Sequence, residues 1–108
     1  MSTTAPGDAG TGRLALSRPD VEYRLLMAGY QAGEAAAFEA LYARLGSDLE
    51  ACLGGAAPKG RCRQLVDEVF LTIHEARASY DPRWAFQPWV SAITDHVVRR
   101  TAKRIGRN

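Results

Sequence analysis

Five cations crowd the last ten residues of the sequence: Arg99, Arg100, Lys103, Arg104 and Arg107, with no acid among them. Cations on neighbouring helical turns can face the phosphates of a polyanion such as nucleic acid. The same pattern also suits the negative end of a helix dipole with nothing bound. The formal charge is +2, so this cluster leaves the other residues at a net −3, a basic end on a mildly acidic body. Other chemistry is harder to find. Cys52 and Cys62 flank a Gly/Pro-rich stretch at a spacing that matches no common zinc pattern, and they read as thiols in a reducing compartment rather than a disulfide or metal site. No glycine-rich phosphate loop is present, and no pair of titratable groups is spaced for acid–base or nucleophilic work. A binding module without cofactor or metal is expected, not an enzyme.

The elements that must position the cations are helical. Residues 1–18 are Gly, Thr, Ser and Ala with scattered charge, a composition that cannot offset the entropy of ordering, and they read as a flexible tail. A domain is expected over 19–108. Asp20 is a candidate N-cap for a first helix whose apolar residues Val21, Leu25, Leu26 and Tyr30 recur at helical spacing. Gly33 interrupts, and Phe38, Leu41, Tyr42, Leu45, Leu49 and Leu53 predict a second helix over 34–53. The breakers in 54–60 predict a loop. Leu65, Val66, Val69, Phe70 and Ile73 line a third helix, with Asp67, Glu68, Thr72 and Glu75 on its other face, ending near Tyr80. The Asp81-Pro82 step disfavours helix. A fourth helix starts at about Phe86–Pro88, carries Trp89, Val90, Ile93 and Val97, and runs into the basic cluster. No alternating strand pattern occurs, so the class is all-α, a compact bundle of four helices around Phe38, Tyr42, Val66, Phe70, Ile73, Trp89 and Ile93. No apolar run approaches the ~18–20 residues that span a bilayer, and no secretory signal is visible, so a cytoplasmic protein without membrane insertion is expected.

Ordered segments then carry a resemblance: Ala37-Phe38-Glu39-Ala40-Leu41-Tyr42, Leu65-Val66-Asp67-Glu68-Val69-Phe70-Leu71, Tyr80-Asp81-Pro82, and Phe86-Gln87-Pro88-Trp89. Over residues 22–104 the chain resembles region 2 of bacterial extracytoplasmic-function sigma factors, members of the sigma-70 family. The resemblance implies a helical module that docks on the clamp helices of the largest subunit of core RNA polymerase. It further implies recognition and melting of the promoter −10 element to start transcription, under restraint by an anti-sigma factor. The third helix looks like the polymerase-binding segment, which makes Asp67, Glu68, Thr72 and Glu75 contact candidates and Leu71 an exposed apolar anchor. The stretch from Tyr80 resembles the segment that captures an extruded base. That task needs cations and flat side chains to replace lost stacking, and Arg83, Trp84 and Phe86 are suitable. Trp89, on the apolar stripe, is expected in the core. The last helix resembles the −10-reading segment, with Arg99, Arg100, Lys103 and Arg104 on phosphates and His96 or Asp95 within reach of base edges.

The sequence departs from the family at Asp95, where a basic residue or Asn is usual, and at Arg100, where an acid is frequent. The family's second helical domain, which reads the −35 element, is not among these residues. A rival reading follows: a sigma mimic that occupies an anti-sigma factor or the polymerase clamp without binding promoter DNA. A generic helix-turn-helix protein is disfavoured, since no short-turn helix pair with a recognition helix is evident.

Overall fold

The computed structural model describes residues 14–54 and 60–106. They form four helices: α1 (Asp20–Gln31), α2 (Ala35–Leu53), α3 (Cys62–Ala76) and α4 (Phe86–Gly106), with a 3-10 turn at Arg77–Ser79 after α3. No strand occurs among the described residues, and the all-α class stands. The helices close a ring of neighbours, α1 on α2, α2 on α3, α3 on α4 and α4 back on α1.

The core follows from side-chain rows at helical spacing. Leu41, Leu45, Leu49 and Leu53, four residues apart on α2, meet Leu65, Val66, Val69, Phe70 and Ile73 of α3, with Tyr23 and Met27 from α1 and Phe86, Val90 and Val97 from α4. Half of the expected α1 stripe turns outward: Val21 and Leu25 are 47% and 68% exposed, Leu26 and Tyr30 pack half-buried against the core, and the fully buried pair is Tyr23 and Met27. Two positions along a helix turn a side chain by about 200°, to the opposite face. Tyr23 can be buried because its hydroxyl donates to the buried carboxylate of Asp48, whose Oδ2 also accepts from the Ser17 amide at 3.2 Å. Of the other expected core residues, Val66, Phe70 and Ile73 are buried, Trp89, Ile93 and Phe38 are half-buried, and Tyr42 lies at the surface. Tyr42 stacks on Phe70 with centroids 4.5 Å apart, covering that ring from outside.

The expected tail falls mostly on residues 1–13, outside the described ones. Its last residues are packed: Leu14 is buried in the core, and its carbonyl accepts from Gln87 Nε2 at 2.7 Å. The α1–α2 connection is a Schellman turn. The Gly33 amide bonds Tyr30 O at 3.0 Å and the Glu34 amide bonds Gly29 O at 2.9 Å, with Gly33 at φ +86°, a conformation that glycine adopts at little cost.

Candidate nucleic-acid and protein-docking surfaces

Asp20 does not cap its own helix, which begins after Pro19 without a side-chain cap. Its carboxylate instead reaches the start of α4, accepting from the Phe86 amide at 2.9 Å and the Gln87 amide at 2.9 Å. These are two of the amides that a helix N-terminus leaves without intrahelical partners, and the acid also complements the positive end of the dipole. α4 is therefore anchored at its first turn by a residue 66 positions earlier. Val90, Thr94, Val97 and Thr101 face inward along it, and this rotation turns the basic cluster outward.

His96, Arg99, Arg100, Ala102 and Lys103 surround a shallow hollow on that outer face, whose wall contains no acid. Acids nevertheless reach three of the four cations from outside it. Asp95 lies 3.5 Å from Arg99 one turn away on the same helix. Glu68, on α3, lies 3.6 Å from Arg100 and 3.3 Å from Arg104. Lys103 has no ion-pair partner among the described residues. Arg107 lies outside the described residues.

The loop before α4 is held by its own polar groups. The Asp81 carboxylate accepts from the Arg83 amide at 2.9 Å and from its guanidinium at 2.7 Å, and the Trp84 amide closes the turn on Asp81 O at 2.8 Å. Hydrogen bonds from the Arg83 side chain and then its backbone hold the Asp81 carboxyl below its ordinary range. Tyr80, buried, donates its hydroxyl to Trp84 O at 2.6 Å. Its phenol is pushed up to about 12, chiefly by burial and then by the charge of Asp20, so the donor stays protonated. Trp84 is left 53% exposed, its ring edge-on to Tyr80. Phe86 corrects the sequence reading. Expected as a flat side chain for an extruded base, it is 0% exposed and stacks on Tyr23 with centroids 5.2 Å apart and planes 3° from parallel.

On α3, Leu71 is 58% exposed. Together with Gly60, Arg63, Gln64, Asp67 and Glu68 it borders a shallow groove. Asp67 pairs loosely with Arg63 at 3.6 Å and Glu75 is exposed. Thr72 is half-buried and its hydroxyl bonds back to Glu68 O at 2.9 Å, which leaves it less available than the exposed Asp67, Leu71 and Glu75. The structure thus puts Asp67, Glu68 and Leu71 around one groove, while Glu68 also reaches the α4 cations. Nothing in the sequence pattern signals that second role, since the partners are 32 and 36 residues away.

Sequence reasoning also missed His74, whose Nδ1 hydrogen-bonds the Tyr30 hydroxyl, and Gln31, whose side-chain amide donates to Arg77 O at 2.7 Å and Tyr80 O at 2.6 Å to fix the 3-10 turn. No disulfide joins Cys52 and Cys62. Burial, then the nearby Asp95 charge, raises the Cys52 thiol, which disfavours the nucleophilic thiolate. Among the described residues no three His, Cys, Asp or Glu side chains gather as a metal site requires, and no helix is long and apolar enough to cross a membrane. Comparison with known proteins returned no matching family model, curated protein or solved structure.

Proposed function

We propose that this chain is a sigma region 2-like module that docks on core RNA polymerase through α3 and holds the promoter −10 strand along α4 and the loop before it. The observation that carries the reading is how the motif segments divide between core and surface. In Leu65–Leu71 the apolar residues Leu65, Val66, Val69 and Phe70 are buried and Leu71 alone is exposed; between Tyr80 and Trp89 the rings of Tyr80 and Phe86 are buried and Trp84 is exposed. An apolar anchor beside an acid suits a helical protein partner. A projecting indole upstream of a cationic helix suits a single strand, whose bases stack on aromatic faces while its phosphates meet Arg and Lys. The −10 sequence preference, the polymerase partner and an anti-sigma regulator all come from the family resemblance.

The test is binding of this domain to purified core polymerase, wild type against Leu71→Asp and Asp67→Lys, with folding checked by circular dichroism. Both substitutions lie on exposed side chains, and each is expected to weaken binding at least about tenfold, as loss of a central interface contact does. Absence of wild-type binding at low salt abandons polymerase docking.

A second reading rests on the ion pairs. With Arg99 held by Asp95 and both Arg100 and Arg104 sharing Glu68, half of the charge of the four α4 cations is answered within the molecule. That favours a sigma mimic, which binds an anti-sigma factor or the clamp and leaves DNA alone. A labelled −10 single strand separates the two: the mimic shows no preference for it over a scrambled strand.

A further inference from the structure

Arg100 and Arg104 stand one turn apart on α4 and converge on one acid. Arg100 Nη2 lies 3.6 Å from Glu68 Oε1 and Arg104 Nη2 lies 3.3 Å from Oε2. Each carboxylate oxygen takes one guanidinium, the arrangement in which two arginines would hold two oxygens of a phosphodiester. We propose that Arg100 and Arg104 form a phosphate site that the Glu68 carboxylate fills in the free protein, so that nucleic acid must displace an internal acid to bind there. The proposal rests on the nucleic-acid reading above and adds to it a built-in competitor.

Three observations carry it. The acid holds the arginines from the protein side: its side chain is the less exposed partner in both pairs, while both arginines remain about half exposed. A phosphate can therefore approach the same guanidinium groups from solvent. Glu68 Oε1 is buried yet accepts no hydrogen bond, an unusual state for a buried acceptor, and Oε2 accepts a long one from Arg104 Nη2 at 3.3 Å, so the carboxylate is held weakly. Arg100 also borders the hollow shared with His96, Arg99 and Lys103. A strand laid in that hollow would meet Arg100 next, with Glu68 as the group to be expelled. A purely structural strut explains less, because α3 and α4 are already joined by buried Val66, Val69, Ile73, Val90 and Val97, and ion pairs whose arginines stay about half in solvent add little to stability.

The experiment measures binding of a short fluorescein-labelled single-stranded DNA by fluorescence anisotropy at low salt. Glu68→Gln keeps shape and removes the competing charge; Glu39→Gln, an exposed acid on α2, makes the same change in net charge elsewhere. Glu68→Gln is expected to bind about three- to tenfold tighter than Glu39→Gln, the size of two weak ion pairs released. Glu68→Asp, which retracts the carboxylate without changing net charge, is expected to fall between wild type and Glu68→Gln. In an Arg100→Gln, Arg104→Gln background the gain from Glu68→Gln should vanish. Equal affinities for Glu68→Gln and Glu39→Gln, or a gain that survives loss of both arginines, overturn the proposal while wild-type binding keeps the nucleic-acid reading. If neither wild type nor any variant binds, both readings fall together.

Discussion

Trp84 and Phe86 are two positions apart and share a residue class, yet the structure gives them opposite circumstances. Phe86 is sealed between Tyr23, Tyr80 and Trp89, and Phe86→Ala should cost about 3–5 kcal/mol of stability by leaving a cavity, visible as a lower urea midpoint. Trp84→Ala should leave that midpoint nearly unchanged and weaken single-strand binding by about 1–3 kcal/mol, the worth of one stacked base. A destabilised Trp84→Ala protein, or one with unchanged strand affinity, removes the indole from the proposed interface. The Tyr23–Asp48 contact makes a separate residue-level expectation. Burial, then the hydrogen bond to Asp48, pushes the Tyr23 phenol up to about 12 from the ordinary 10.0. The folded state thus holds this proton more tightly than the unfolded chain, and the associated stability is fully present below pH 10 and lost as pH rises toward 12. Tyr80 is raised to the same value, so Tyr23→Phe should remove only part of the alkaline decline in a series of urea melts; a stability profile flat through pH 12 contradicts the buried phenols.

At the scale of elements, the start of α4 depends on Asp20, a residue of α1. Asp20→Ala should cost about 0.5–2 kcal/mol, the range for losing a capping carboxylate, and should speed hydrogen exchange at the Phe86 and Gln87 amides before it affects α2. Unchanged exchange at those two amides would show that the cap is idle. This contact marks where legibility in the sequence ended. Helix existence, order and approximate bounds follow from apolar spacing and from the Gly and Pro breaks, because those are local properties. The third helix was readable to its buried row, since its apolar residues are a strong 3.6-residue pattern with no polar member. In the first helix Leu26 and Tyr30 pack on the core as the spacing predicts, whereas the burial of Tyr23 is not legible because its hydroxyl needs a distant carboxylate to satisfy it. Asp20 looked like a local cap for the same reason: residue type shows that a side chain can cap, and only the fold decides which helix it reaches. In the candidate site, exposure of Leu71 and Trp84 agreed with the motif, whereas burial of Phe86 and the reach of Glu68 to Arg100 and Arg104 depend on how α1, α3 and α4 pack.

Over the whole molecule the charge is lopsided, with the cations of α4 at one end of a body that is otherwise net negative. Such an arrangement binds a strand mainly by releasing condensed counterions, so affinity must depend on salt. If Arg99, Arg100, Lys103 and Arg104 each meet one phosphate, the slope of log affinity against log salt is about −3 for a single strand, at roughly −0.7 per contact. Raising salt from about 50 to about 200 mM then weakens binding roughly fiftyfold. The internal acids modulate this figure in opposite places. Lys103, with no ion-pair partner among the described residues, should contribute its full share, and Lys103→Gln should flatten the slope by about 0.7. Arg99 is already answered by Asp95 at 3.5 Å, so Arg99→Gln should flatten it less. A salt titration of strand binding for wild type and these two variants checks the ordering. A wild-type slope near zero would mean that the cationic face meets no phosphates, and α4 would then serve the bundle or a protein partner instead of a nucleic acid.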